Sequence, residues 1–71
     1  MKCTVKLVWD HDTGRWYTET EDVPGLVLEG ISFDELVERV RLAAPEMLEL
    51  NCDYTGPVHI SFEAERMEQV S

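Results

Sequence analysis

In the stretch D-V-P-G-L-V-L-E-G-I-S-F-D-E-L, residues 22–36, two backbone-forcing points bracket four residues just before a helix start. Pro24 fixes its own φ at about −65°, and Gly25 suits the positive φ required at the third position of a type II turn. Gly30 follows. Ser32-Phe33-Asp34-Glu35 then matches a capping box, in which the Ser32 hydroxyl accepts the Glu35 N–H and Glu35 reaches back to the Ser32 N–H. The spacing is too tight for a loose linker. It leaves room for one short strand, Leu26 to Glu29, with Gly30 releasing the chain into the helix. Pro24, Gly25, Gly30, Ser32 and Glu35 are therefore structural, and Ile31 stands where it can staple against Leu36.

The flanking segments alternate with a period of two, as half-buried strands do. Cys3, Val5, Leu7 and Trp9 share one face, with Thr4, Lys6 and Val8 on the other. A polar turn, Asp10 to Gly14, leads into Arg15-Trp16-Tyr17-Thr18-Glu19-Thr20, whose aromatic and β-branched residues read as the second strand of a hairpin. Val58 to Glu65 alternates again, with Val58, Ile60, Phe62 and Ala64 inward. Between them, Phe33, Leu36, Val37, Val40, Ala44, Met47 and Leu48 keep helical spacing toward an end at Asn51. Pro45 lies inside that run; it lacks an N–H and disfavours a helical Ala44, so a kink or break is expected there.

The element order is therefore β-β-β-α-β. A meander makes strands one and three parallel, and the right-handed crossover from strand three allows strand four to lie parallel beside strand one. The expected fold is α+β: a mixed four-stranded sheet of order 3-2-1-4 with one main helix, kinked or broken near Pro45, on one face.

At 71 residues the chain has room for one domain and one sheet face packed on one helix. The second sheet face must be solvated or covered by a partner, and self-association into a homodimer or higher oligomer is a common remedy. Val8, Val27 and Trp16 or Tyr17 are expected on that helix-free face; with Glu29 they are the candidate partner-binding residues.

A formal charge of −9 makes direct nucleic-acid or anionic-membrane binding unfavourable. It fits a basic protein partner, although acidity alone also supports solubility. No apolar run approaches the roughly 20 residues of a membrane span, and the start lacks a signal-peptide pattern. Two cysteines far apart form no disulfide framework, so a cytoplasmic chain with reduced thiols is expected, Cys3 buried and Cys52 exposed.

No catalytic, metal or cofactor-binding residues are expected. Asp10-His11-Asp12 is the most metal-like cluster, but two-metal chemistry needs carboxylates converging from several elements, and only Glu35 and Asp53 are at hand to help. A solvated hairpin turn accounts for it. His59 beside Ser61 lacks a third orienting group, and zinc-ligand spacing is absent. Gly25 to Gly30 has the spacing of a phosphate loop, but no Lys-Ser/Thr follows.

The ordered set of Trp16-Tyr17 in strand two, the Val23-Pro24-Gly25 turn, Gly30 and the Ser32-to-Leu36 helix opening resembles the HicB-like antitoxin family. It is similar in particular to short single-domain members that end soon after the fourth strand. The resemblance spans about residues 3–65 and implies a partial ribonuclease-H-like fold without nuclease activity. It also implies a partner: HicA, a small basic RNA-cleaving toxin that the antitoxin binds and blocks. Full-length relatives often append a DNA-binding domain; on this resemblance residues 1–71 are expected to form a single HicB-like domain with none appended, and repression of its own promoter is not expected. By the same resemblance, the short third strand is an exposed edge available to a partner. The alternatives are an orphan self-associating domain without a toxin and, last, a degenerate nuclease-like enzyme.

Overall fold

A computed structural model describes residues 1–71. Its elements are β1 (Lys2–Asp10), β2 (Arg15–Glu19), β3 (Glu29–Gly30), α1 (Phe33–Cys52) and β4 (His59–Glu65). The sheet order is β3-β2-β1-β4. β1 pairs antiparallel with β2 and parallel with β4, and β2 pairs antiparallel with β3. This is the α+β arrangement that the hairpin and the right-handed crossover predict.

Period-two alternation on the strands and 3.6-residue periodicity on the helix supply the core. Cys3, Val5 and Leu7 from β1 pack with Leu36, Val40, Ala44 and Leu48 from α1, all buried. Phe33, Val37 and Met47 add to the same helix face, and Ile60 and Phe62 pack from β4. Ala64 is exposed.

Val23 and Leu26 close the open side of this core, at 1% and 6% exposure. The Pro24-Gly25 turn puts them there. Leu26 N–H donates to Val23 O at 3.2 Å, and Gly25 has φ 85°, a type II turn. The turn is docked on the last turn of α1, where Asn51 Nδ2 donates to Pro24 O at 2.8 Å. Upstream, side chains extend the ladder after β2 ends: Thr20 Oγ1 donates to Thr4 O, and Thr4 N–H donates to Asp22 Oδ2.

Several local expectations are corrected. The third strand is Glu29–Gly30 rather than Leu26–Glu29, because the Thr18 hydroxyl accepts the Leu28 N–H at 3.0 Å where a backbone carbonyl would pair. Gly30 is therefore a strand residue opposite Trp16, not a turn. Pro45 does not break α1, which runs through it to Cys52 and ends at Asp53 with φ 53° rather than at Asn51. Pro45 is exposed, so its missing N–H leaves the preceding turn's carbonyl near solvent rather than in the core.

The capping box is half formed. Ser32 Oγ accepts the Glu35 N–H at 3.3 Å, but Glu35 makes no return bond. The Ile31–Leu36 staple is also absent: Ile31 is 73% exposed while Leu36 is fully buried.

Candidate functional site

The helix leaves the other sheet face open, and the registers dictate what stands on it. One row crosses all four strands: Glu29 on β3 lies opposite Tyr17 on β2, Tyr17 opposite Val8 on β1, and Val8 opposite Glu65 on β4. The next row is Glu19, Lys6 and Glu63. An apolar centre is thus flanked by carboxylates at both ends. Val8 is 9% exposed and Tyr17 38%, so Tyr17 is the accessible part of that centre. Arg15 Nη1 lies 3.8 Å from Glu29 Oε1, a solvent-exposed pair of small energetic weight.

Trp16 is not on this face. It packs edge-on against Phe33 of α1 with centroids 5.0 Å apart, and against Trp9 at 5.3 Å. The Arg66 guanidinium lies 4.2 Å over the Trp9 ring, a cation–π contact that lids the cluster. Alternation along β2 allows only one of Trp16 and Tyr17 on each face, and the register with β1 gives Trp16 to the helix side. Val27 is 85% exposed and lies outside any strand, on the segment leading to β3.

The β3 edge is not open for pairing. The strand is two residues long, and Arg39 Nη1 from α1 donates to Glu29 O at 2.8 Å. Arg39, Asn51 and Thr18 are the positions that pattern reading missed. Only Thr18 carried a signal, as a polar residue on the inward side of an aromatic strand.

The turn residues are occupied locally. Asp12 N–H donates to Asp10 Oδ1 at 2.9 Å, Gly14 N–H donates to Asp10 O at 2.8 Å, and the His11 ring nitrogen meets Met67 O. Gly14 takes φ 67°. Glu35 and Asp53 stand at opposite ends of α1, about 27 Å apart at the helical rise of about 1.5 Å per residue, so they do not converge with Asp10. No group of three or more His, Cys, Asp or Glu residues is placed to hold a metal. His59 and Ser61 lie on the helix-free face of β4 and share a shallow depression with Lys2 and Thr4.

Cys3 is buried and Cys52 exposed, both free. Burial pushes the Cys3 thiol above its ordinary range, and the Asp22 carboxylate adds to the shift. The Arg66 guanidinium bonds Glu68 and holds its carboxyl below the usual value. No helix is long and apolar enough to cross a membrane.

No curated protein matches the sequence. Among solved structures, the chain is similar to a hypothetical protein of the extremely thermophilic bacterium Thermus thermophilus, with 34% identity and a TM-score of 0.82. The match covers 97% of this chain and 99% of that one, so the two share the whole β-β-β-α-β arrangement. A family model matches residues 2–71, from the first residue of β1 through the segment after β4, and on that match the chain belongs to the family described as Domain of unknown function (DUF1902).

Proposed function

We propose that this protein is a non-catalytic, antitoxin-like binding domain of HicB type, which neutralises a small basic HicA-like RNA-cleaving protein in the cytoplasm. The row Glu29–Tyr17–Val8–Glu65 carries the reading. A half-exposed aromatic beside a buried valine gives an anchor, and tyrosine is among the residues that dominate interface energies. Carboxylates at both ends of the row, with Glu19 and Glu63 in the next, give a rim complementary to a basic surface. The chain's net charge of −9 steers encounter with such a partner. The ordered turn and cap motifs that resemble the HicB-like family point to the same class of partner.

Blocking a ribonuclease needs no chemistry from the antitoxin; it needs a surface that occupies the enzyme's cationic RNA site. Carboxylates flanking an apolar anchor on a rigid sheet suit that task because they present negative charge to a cationic site without offering a scissile bond. The test is titration calorimetry of the purified protein with a short basic chain encoded beside its gene. Binding that weakens with salt and is lost in Tyr17→Lys supports the reading. Unaltered affinity of Tyr17→Lys together with Glu65→Lys assigns binding to another surface and defeats it.

A further inference from the structure

β4 is the outer strand on one side of the sheet, with no further strand paired to its free edge. His59 N–H donates to Met1 O at 2.8 Å, which turns the backbone groups of residues 59, 61, 63 and 65 toward β1. Along a strand these directions alternate, so the N–H and C=O of Ile60, Phe62 and Ala64 point out of the sheet. The opposite edge is short, and Arg39 takes its outward carbonyl. β4, by contrast, spans seven residues without proline, lysine or a bulge, and its two carboxylates, Glu63 and Glu65, are confined to the helix-free face. Beside it, Phe62 and Ile60 are only half buried and line a groove with Arg41, Pro45 and Val58.

We propose that β4 pairs antiparallel with β4 of a second copy of this chain, across a two-fold axis at Phe62, joining the two sheets into one. In that register each outward group of the strand finds a partner. Phe62 exchanges two backbone bonds with its counterpart, and Ile60 exchanges two with Ala64 of the second copy. On the helix side the facing pairs are Phe62 with Phe62 and Ile60 with Ala64, which extend the core and cover the half-exposed ring. On the other side His59 faces Glu65 and Ser61 faces Glu63, so no like charges stand opposite each other.

A register two residues toward the C-terminal end sets Glu63 against its own copy and is disfavoured. This self-complementarity is what selects a second copy over an unrelated extended segment. Two-fold pairing is also the commonest symmetry of small assemblies. The Tyr17–Val8 centre lies two strands and one strand away from the new seam, so the dimer leaves it open to a different partner, while Glu63 and Glu65 on β4 border both surfaces. The inference rests on the β4 edge and not on the proposed antitoxin role.

Sedimentation equilibrium across a micromolar range is the first test, with a dimer expected. Repulsion between two chains of net charge −9 makes its association strengthen with salt. Ala64→Pro removes one outward N–H and no bond to β1, and it is expected to weaken association about tenfold or more. Register is read by cross-linking in a Cys52→Ser background. Chains carrying Ser61→Cys mixed with chains carrying Glu63→Cys are expected to form a disulfide on mild oxidation, since facing residues of a non-hydrogen-bonded pair lie about 4.5 Å apart. Neither chain alone is expected to cross-link. A monomer at every concentration and salt, or a dimer that Ala64→Pro leaves unchanged, overturns the proposal. So does equal cross-linking of Ser61→Cys alone, which places the axis elsewhere.

Discussion

Asn51 on the last turn of α1 donates from Nδ2 to the carbonyl of Pro24, 2.8 Å away, and so ties the type II turn to the helix. The turn in turn carries Val23 and Leu26 into the core. Removing the amide in Asn51→Ala is expected to cost about 1 kcal/mol, the usual worth of one such bond. Gly25→Ala is expected to cost more. Its φ of 85° is strained for any side chain, and the added Cβ would stand 2.9 Å from Asn51 Nδ2. Urea unfolding of the two variants measures both, and a Gly25→Ala chain as stable as the parent would contradict this role for the turn.

Arg39 bonding Glu29 O makes a second clamp, between α1 and the short edge strand. Arg39→Ala is expected to lower global stability by no more than about 1 kcal/mol, because the side chain is exposed. Its main effect is local: amide exchange at Gly30 should accelerate while exchange in β1 stays slow. Uniform acceleration across the sheet would mean that Arg39 supports the whole fold rather than one edge.

Trp16 and Tyr17 are adjacent in sequence and opposite in consequence. Trp16 packs on Phe33 and Trp9, so Trp16→Ala is expected to destabilise by about 3 kcal/mol, the low end for aromatic truncation because the ring is half buried. Tyr17→Ala is expected to cost under about 1 kcal/mol, as an exposed residue does. Paired unfolding curves decide; equal losses would put both rings in the core.

Cys3 and Cys52 should separate by reactivity. Cys52 is exposed and is expected to react with a thiol reagent in the native protein, whereas Cys3, buried and with its thiol pushed up by burial, should react only on unfolding. The raised value also has a sign for stability. As pH rises past the ordinary thiol value of 9.0, the unfolded chain releases the Cys3 proton while the folded chain keeps it, so stability falls. The fall begins at the unfolded value and ends at the folded one. Cys3→Ala should flatten that part of the stability–pH curve, and an unchanged slope would refute the assignment to Cys3.

Alternation alone carries most of the fold. The faces of β1 and β4, the apolar stripe of α1, the Pro24-Gly25 turn and the Ser32 cap all follow from local spacing, and chirality then orders the strands. Long-range polar contacts escape that kind of reading. Strand three is short because the Thr18 hydroxyl takes the place of a backbone group, and its edge is closed because a helix arginine reaches it. Neither contact has a sequence period. The side of the sheet that Trp16 faces was equally hidden, since β2 carries an aromatic on each face and only the register with β1 decides between them. That register moved the apolar centre of the helix-free face onto Tyr17 and Val8, with carboxylates at both ends of the row.

The central claim is that this face binds and silences a basic ribonuclease. The most direct measurement is an RNA-cleavage assay in which a small basic HicA-like ribonuclease is titrated with the purified protein. The account predicts that cleavage stops near an equimolar ratio, returns at high salt, and is not stopped by Tyr17→Lys. Cleavage that continues at a large excess of the wild-type protein, or RNA cleavage by this protein on its own, would contradict it.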